Sequence, residues 1–380
     1  MARRRIIIPT SIITALCVLA VSCGDDDAAV DTTSTTVATV SDVESGAAFP
    51  EDRCAANRAA GTISYLSGFD FAATASIIEV LLAEQRGYFD ELCLDVDVTA
   101  SFSTSNYPLV AANDAQFASG GSFSEVLSFG AQNDAELVVL AVEGRTAIDA
   151  LITKKGAIAD LADLEGTTIG VKGKISSSVA AMLAAEGLIE GEDYETVLID
   201  GFDPKVHIEL PGIVGFPGYK SNEPGQLERA GIPFDLFDPS ERGIPGSFGI
   251  LYTNRAFLEA HPTAAVDFMR AAMRGLREAL DDPAAAAELA IALINAGGNP
   301  NFLSPEGEVF RWETEAALIR ETTPQGEAYG VPDLEALQSE VDTYAEIGVF
   351  GDEVPSVEDG VDPVLSQVYD AAGNVVWPAT

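Results

Sequence analysis

The stretch GFPGYKSNEPGQLE, residues 215–228, mounts a ring, a carboxamide and a carboxylate on a backbone punctuated by Gly215, Pro217, Gly218 and Pro224. Tyr219 offers a flat face, Asn222 a donor and an acceptor, and Glu223 an acceptor for two hydrogen bonds. Pro224 restrains Glu223 toward extended backbone. These groups suit a planar ligand with ring nitrogens and an exocyclic amine, stacked on the ring and donating to the carboxylate. A plainer use of Asn222 and Glu223 is to cap a helix that has Pro224 as its first residue.

Other small polar or aromatic residues gather where strands are expected to end. Phe69 and Asp70 follow the first strand, Ser103 and Thr104 the second, and Gly121 and Ser122 the third. In a second series Lys174, Ser176 and Ser177 open a helix. Free N–H groups at a helix start, with hydroxyls nearby, can hold an acceptor or an anion. Each site alone is equally well read as a serine cap. Their recurrence at the same end of both series favours a binding cleft.

Several chemistries find no support. Only His207 and His261 are present, and neither has a second histidine or a cysteine at metal spacing, so no metal site is expected. No G-x-S-x-G elbow accompanies them, and GVKGKISSS lacks the first glycine of a phosphate loop. No catalytic residues and no cofactor are expected. The balance of 60 acidic to 21 basic residues, formally −39, repels phosphate backbones and excludes nucleic acid as a partner.

The elements that must position these residues fall into two α/β series. TISYLS (62–67), LDVDVTA (94–100), AQFAS and ELVVLAVE read as strands, separated by helices such as ASIIEVLLAEQRGYF, which Gly87 ends. The pattern restarts after IDALITKK (148–155): IADLADLEG is expected as a helix, TTIGVKG and YETVLID as strands, and GIVGF and FDLFD as two more. SFGILYTN (247–254) is expected to close this second series. Helices follow from Pro262, the first with Val266, Met269, Met273, Leu276 and Leu280 on one face, then near 283–295, 305–320, 333–347 and 361–371. The fold class is therefore α/β with two lobes, each a mostly parallel sheet flanked by helices, joined by two crossing segments and completed by a helical C-terminal part. Lobe 1 is assigned to 51–149 and 254–380, and lobe 2 to 150–253. Open sheets of this kind bind ligands at the carboxyl ends of their strands, and two facing sheets make a cleft that can shut.

The N-terminus carries a basic MARRR, an apolar run too short for a confident membrane span, and LAVSC. Ala20, Val21 and Ser22 before Cys23 resemble a bacterial lipobox. This implies a signal peptide over 1–22 and a diacylglyceryl anchor on Cys23; an ordinary signal peptide is the alternative. Residues 23–50, rich in Asp, Thr, Ser, Ala and Val without periodicity, read as a disordered tether. Outside the cytoplasm the isolated pair Cys54 and Cys93 reads as a disulfide, with two buried thiols as the alternative.

Residues 61–350 resemble the periplasmic substrate-binding proteins of ABC importers, in the branch that includes thiamine-precursor, riboflavin, nitrate, sulfonate and taurine binders. The resemblance rests on LLAEQRGYFDELCLDVDV, LADLEGTTIGV, and GYKSNEPGQLERAGIPF followed by GILYTN. The Gly-Tyr-x-x-Asn-Glu-Pro loop is more similar to the thiamine-precursor and riboflavin side, where an aromatic and an acidic residue hold a flattened heterocycle. That role falls here on Tyr219, Asn222 and Glu223. GIVGFPG stands where that group has Asp-Ala. The resemblance implies a two-lobed periplasmic-binding-protein fold of type II. It further implies a monomeric, non-enzymatic lipoprotein at the outer face of the bacterial cytoplasmic membrane. Such a protein delivers a small ligand, a pyrimidine-like or flavin-like heterocycle, to an ABC permease and its ATPase. The alternatives are a sulfonate or other small anion in the same fold, or a surface scaffold without transport. A pyrimidine synthase of the same fold needs a histidine near the first-lobe cleft and a cysteine cluster, and this chain has no histidine before His207.

Overall fold

The computed structural model describes residues 40–379. The expected signal peptide, Cys23 and residues 24–39 of the expected tether lie outside them. Residues 40–50 depart from the tether expectation, because they are fastened to the body. Ser41 donates its N–H and its hydroxyl to Asp52 at 2.8 and 2.9 Å. Val43 is buried. The Gly46 N–H reaches the Trp377 carbonyl at 2.9 Å, and the Ala379 N–H reaches that of Ala47 at 2.7 Å. Composition carries no sign of these long-range backbone pairs.

The first series runs α1 (Glu51–Arg58), β1 (Thr62–Leu66), α2 (Ile78–Arg86), α3 (Tyr88–Glu91), β2 (Asp95–Thr99), α4 (Ser103–Ala111), β3 (Phe117–Gly120), α5 (Phe123–Asn133) and β4 (Leu137–Gly144). The second runs β5 (Asp149–Lys154), β6 (Thr168–Val171), α6 (Ser177–Ala185), β7 (Glu195–Leu198), α7 (Pro204–Glu209), β8 (Gly215–Tyr219), α8 (Glu223–Arg229) and β9 (Phe234–Phe237). Then come β10 (Phe248–Asn254), α9 (Arg255–Ala260), α10 (Pro262–Asp281), α11 (Pro283–Gly297), α12 (Pro305–Thr322) and α13 (Leu334–Glu346).

Two five-stranded sheets result, ordered β2-β1-β3-β10-β4 and β7-β6-β8-β5-β9. In each, one strand opposes the other four: β10 in the first and β5 in the second. The reason is topological. The chain leaves β4 at the carboxyl edge, crosses within residues 145–148 and enters the second sheet at the corresponding edge, so β5 must run away from the cleft. The return from β9 repeats this. Strand 247–254, expected to close the second series, is therefore a central strand of the first sheet. An apolar strand records that it is buried, not in which sheet.

The core follows the helical periodicity. Ile77, Ile78, Leu81 and Leu82 are buried, as are Val266, Met269, Met273, Leu276 and Leu280. Gly87 caps α2 at φ 72°, a left-handed conformation that glycine adopts without steric cost. Helix α10 crosses α2 closely at Gly275, whose lack of a Cβ permits the approach, since a Cβ there would strike the backbone of Glu79. Two expected helices shrink to single 3-10 turns, Leu161–Leu164 and Val364–Gln367. A disulfide joins Cys54 on α1 to Cys93 ahead of β2.

Candidate functional site

The first part of the GFPGYKSNEPGQLE stretch is strand β8 rather than loop. It pairs with β5, setting Tyr219 opposite Asp149. Its pairing with β6 is confined to Gly215, so that ladder has ended before Pro217, which has no N–H to offer. The chain then turns into α8. Glu223 folds back: Oε2 accepts the Tyr219 N–H at 2.8 Å and Oε1 pairs with Lys172 Nζ at 3.1 Å. Gly218 gives this carboxylate room, because a Cβ there would lie 3.0 Å from Glu223 Cδ. Both Glu223 oxygens are thus engaged within the protein, and the residue is 4% exposed. What the loop delivers into the cleft is the ring of Tyr219, which is 41% exposed.

Helix α12 binds this loop to the first lobe. The Ser221 hydroxyl donates to Glu315 Oε1 at 2.7 Å. Glu315 Oε2 accepts the Thr74 hydroxyl at 2.6 Å and the Ala75 N–H at 2.7 Å. One turn earlier Arg311 Nη2 donates to Asn222 Oδ1 at 2.7 Å and Nη1 pairs with Glu308. The Ala73 N–H reaches Glu308 Oε2 at 2.8 Å. Residues 308, 311 and 315 share one helix face, so a single stripe holds the 73–75 segment of one lobe and residues 221–222 of the other. Sequence reasoning passed over these three. Charged residues on a late helix read as a solvent face, yet all are buried.

Two spaces lie between the lobes. An inner cavity of about 70 Å³ is lined by Phe69, Ser103, Gly121, Tyr219 and Glu315 among others. An outer one of about 490 Å³ is lined by Phe69, Phe202, Asn222, Gln226, Phe302 and Arg311 among others. Phe69 is the wall common to both. Its ring meets Phe102 and Phe202 edgewise or tilted, with centroids 5.6 and 5.7 Å away.

The remaining sequence candidates divide. Asp70 is buried and structural: its carboxylate accepts from the Phe71 N–H at 2.8 Å and the Asn301 amide at 3.0 Å. Thr104 is exposed and contributes to neither cavity wall. Ser122 caps α5 by accepting the Glu125 N–H at 3.3 Å. Ser176 precedes α6 without a capping bond. Its buried hydroxyl has no partner among the described residues, and Ser177 begins the helix. His207 is packed edgewise on Phe216 with Nε2 2.9 Å from the Asp200 carbonyl.

The electrostatics are acidic. Burial pushes the Asp149 carboxyl up to about 7, reinforced by the charges of Glu125 and Glu223. Burial also raises Glu125, with Lys174 opposing. Behind the inner cavity, Glu79 and Glu143 are paired in the core. The Ser76 N–H donates to Glu143 at 3.2 Å, and the Ser76 hydroxyl shares a 2.6 Å bond with Ser119 of the cavity wall. Burial lifts Glu79 to about 7 and Glu143 well above the usual carboxylate range, so this pair holds a proton at neutral pH.

Comparison with known proteins agrees with the geometry. A curated relative, the riboflavin-binding protein RibY of Chloroflexus aurantiacus, is 28% identical over 176 residues. That alignment spans 44% of this chain and 45% of the relative, less than half of its length. Among solved structures, the nitrate-binding protein NrtA of Synechocystis PCC 6803 superposes with a TM-score of 0.60 at 13% identity, covering 80% of this chain and 87% of its own. The alkanesulfonate-binding protein SsuA of Xanthomonas axonopodis pv. citri gives 0.56 at 14% identity, covering 79% and 98%. At such identities these neighbours establish the two-lobed periplasmic-binding-protein fold. The family described as NMT1/THI5 like matches residues 74–286, more than half of the sequence, and the chain belongs to that family.

Proposed function

We propose that this protein is an exported solute receptor, anchored through Cys23, that captures a planar nitrogen heterocycle between its lobes and delivers it to an ABC permease. The observation that carries this reading is the interlobe space itself. Aromatic rings, Phe69 and Tyr219, line it from opposite lobes, and the carboxyl groups of Asp149, Glu125 and Glu315 act on Tyr219. An aromatic face beside hydrogen-bond acceptors suits a flat ring bearing N–H groups. The name of the RibY relative, a riboflavin binder, supports the same class. A pyrimidine synthase of this fold is not proposed, since such an enzyme needs a histidine near the first-lobe cleft and the sequence has none before His207.

The second reading, a sulfonate or other small anion, is favoured by the solved neighbours and by Arg311 at the outer cavity. It is the weaker one here, because Arg311 is already engaged by Glu308 and Asn222. The test is to extract whatever co-purifies with the chain and identify it by mass spectrometry. A flat nitrogen heterocycle supports the proposal, and a sulfonate or nitrate replaces it with the second reading.

A further inference from the structure

The inner cavity, at about 70 Å³, is far smaller than the roughly 300–1,000 Å³ of usual ligand pockets. The outer one, at about 490 Å³, falls within that range. Three aromatic rings stand in its walls, from both lobes and the segment before α12: Phe69, Phe202 and Phe302. Phe302 is the least expected of these. It is 91% exposed, and its backbone is left-handed at φ 54°, a conformation costly for a bulky residue. The turn that holds it is tightly stapled. The Asn299 side chain accepts the Leu303 N–H at 2.7 Å and donates to the Leu303 carbonyl at 2.6 Å. Asn301 ties the turn to Asp70 at 3.0 Å. A strained, stapled turn that holds a phenyl ring in water beside a cavity is a placement with a use.

The polar groups define what the ring must look like. The charges lining the chamber are matched: Arg311 with Glu308, and Lys205 with Asp203. A neutral ligand is therefore favoured over an ion. Arg311 can only donate, so it fixes the Asn222 amide with Oδ1 toward the guanidinium. Asn222 Oδ1 also accepts the Gln226 amide N–H at 3.0 Å, which fixes Gln226 as well. Asn222 Nδ2 and Gln226 Oε1 are left without a hydrogen bond among the described residues, one a donor and one an acceptor, on residues that line the chamber.

We infer that the outer chamber holds the flat part of the solute. That part is a neutral heteroaromatic ring whose edge carries both a carbonyl and an N–H, as in a lactam or ureide. The ring stacks against Phe302 and Phe202, its carbonyl accepts from Asn222 Nδ2, and its N–H donates to Gln226 Oε1. This rests on the proposed reading of the protein as a heterocycle receptor.

Lumiflavin, and 3-methyllumiflavin in which a methyl group replaces the edge N–H, test it by equilibrium dialysis against the detergent-purified full chain. The methylated probe is expected to bind ~10-fold more weakly, the worth of about one hydrogen bond. Gln226→Ala is expected to weaken lumiflavin ~10-fold and leave the methylated probe unchanged, a coupling that general destabilisation does not produce. Phe302→Ala, at an exposed side chain, is expected to weaken both probes ~10-fold through lost stacking. If lumiflavin binding survives Phe302→Ala and Gln226→Ala but is lost in Tyr219→Ala, the ring sits in the inner cavity and the inference is overturned. If the chain binds only flat heterocycles without a carbonyl–N–H edge, the inference fails while the receptor reading stands. If it binds no heterocycle at all, both fail.

Discussion

Ser221, on the loop of the second lobe, donates its hydroxyl to Glu315 of α12 at 2.7 Å, while the other oxygen of the same carboxylate holds Thr74 and Ala75 of the first lobe. One buried side chain thereby fastens both walls of the cleft. Ser221→Ala should loosen the hold of α12 on the second lobe, leaving the Arg311–Asn222 bond and the Thr74 and Ala75 contacts in place. Small-angle scattering is expected to show a larger radius of gyration for the unliganded variant than for the native chain. An unchanged radius would mean that Glu315 does not hold the lobes together.

The disulfide gives a stability prediction. Cys54 and Cys93 are 39 residues apart in sequence, and closing a loop of that size stabilises a fold by about 2–4 kcal/mol. Cys54→Ser with Cys93→Ser should lower the chemical-denaturation free energy by that amount. Thiol titration of the native, non-reduced body from which Cys23 has been removed should find no free thiol.

Stability should fall as pH rises from 5 to 8. Folding raises the carboxyls of Glu79 and Asp149 to about 7, whereas in an unfolded chain they titrate near 4. Between those values the folded state holds protons that the unfolded state has released, so unfolding becomes easier with each step upward. The loss levels off above about pH 7 for these two and continues for Glu143, which is raised further. Glu79 alone should contribute on the order of a few kcal/mol. Glu79→Gln keeps the shape without the titration and should flatten the profile. A native profile that rises between pH 5 and 8 would contradict the protonated pair.

The proposed anchor residue, Cys23, precedes the described residues 40–379. Cys23→Ala should release the protein from the membrane fraction and leave its melting transition unchanged. Retention in the membrane, or loss of the transition, counts against a lipid on Cys23.

Much of the architecture was readable because it is periodic. The faces of α2 and α10 declare themselves in runs such as Val266, Met269 and Met273, and the strand–helix alternation implies the two lobes. What was not readable is long-range. Nothing local in residues 248–254 says that β10 inserts between β3 and β4. Nothing in GFPGY says that Pro217 lies in a strand. Val43 and the backbone bonds of 40–50 are invisible to composition. At the candidate site, Phe69 and Tyr219 are named from residue type and position, and both line the inner cavity. The role expected for Glu223 was not visible in the same way, since its carboxylate is occupied by Lys172 and the Tyr219 N–H across 51 residues and four residues respectively. Glu308, Arg311 and Glu315 escaped notice because burial turns charged helix positions from a solvated face into interlobe contacts.

The central claim, a receptor for planar nitrogen heterocycles, is tested most directly by thermal shift of the purified chain against pyrimidines, flavins, sulfonates and nitrate. A ligand at about a hundred times its dissociation constant adds roughly 2.7 kcal/mol to stability, enough to move the melting temperature measurably. The account predicts a shift with a flat nitrogen heterocycle, diminished by Phe302→Ala in the chamber wall and little affected by Lys174→Ala. A shift with sulfonate or nitrate alone, abolished by Lys174→Ala, would contradict it.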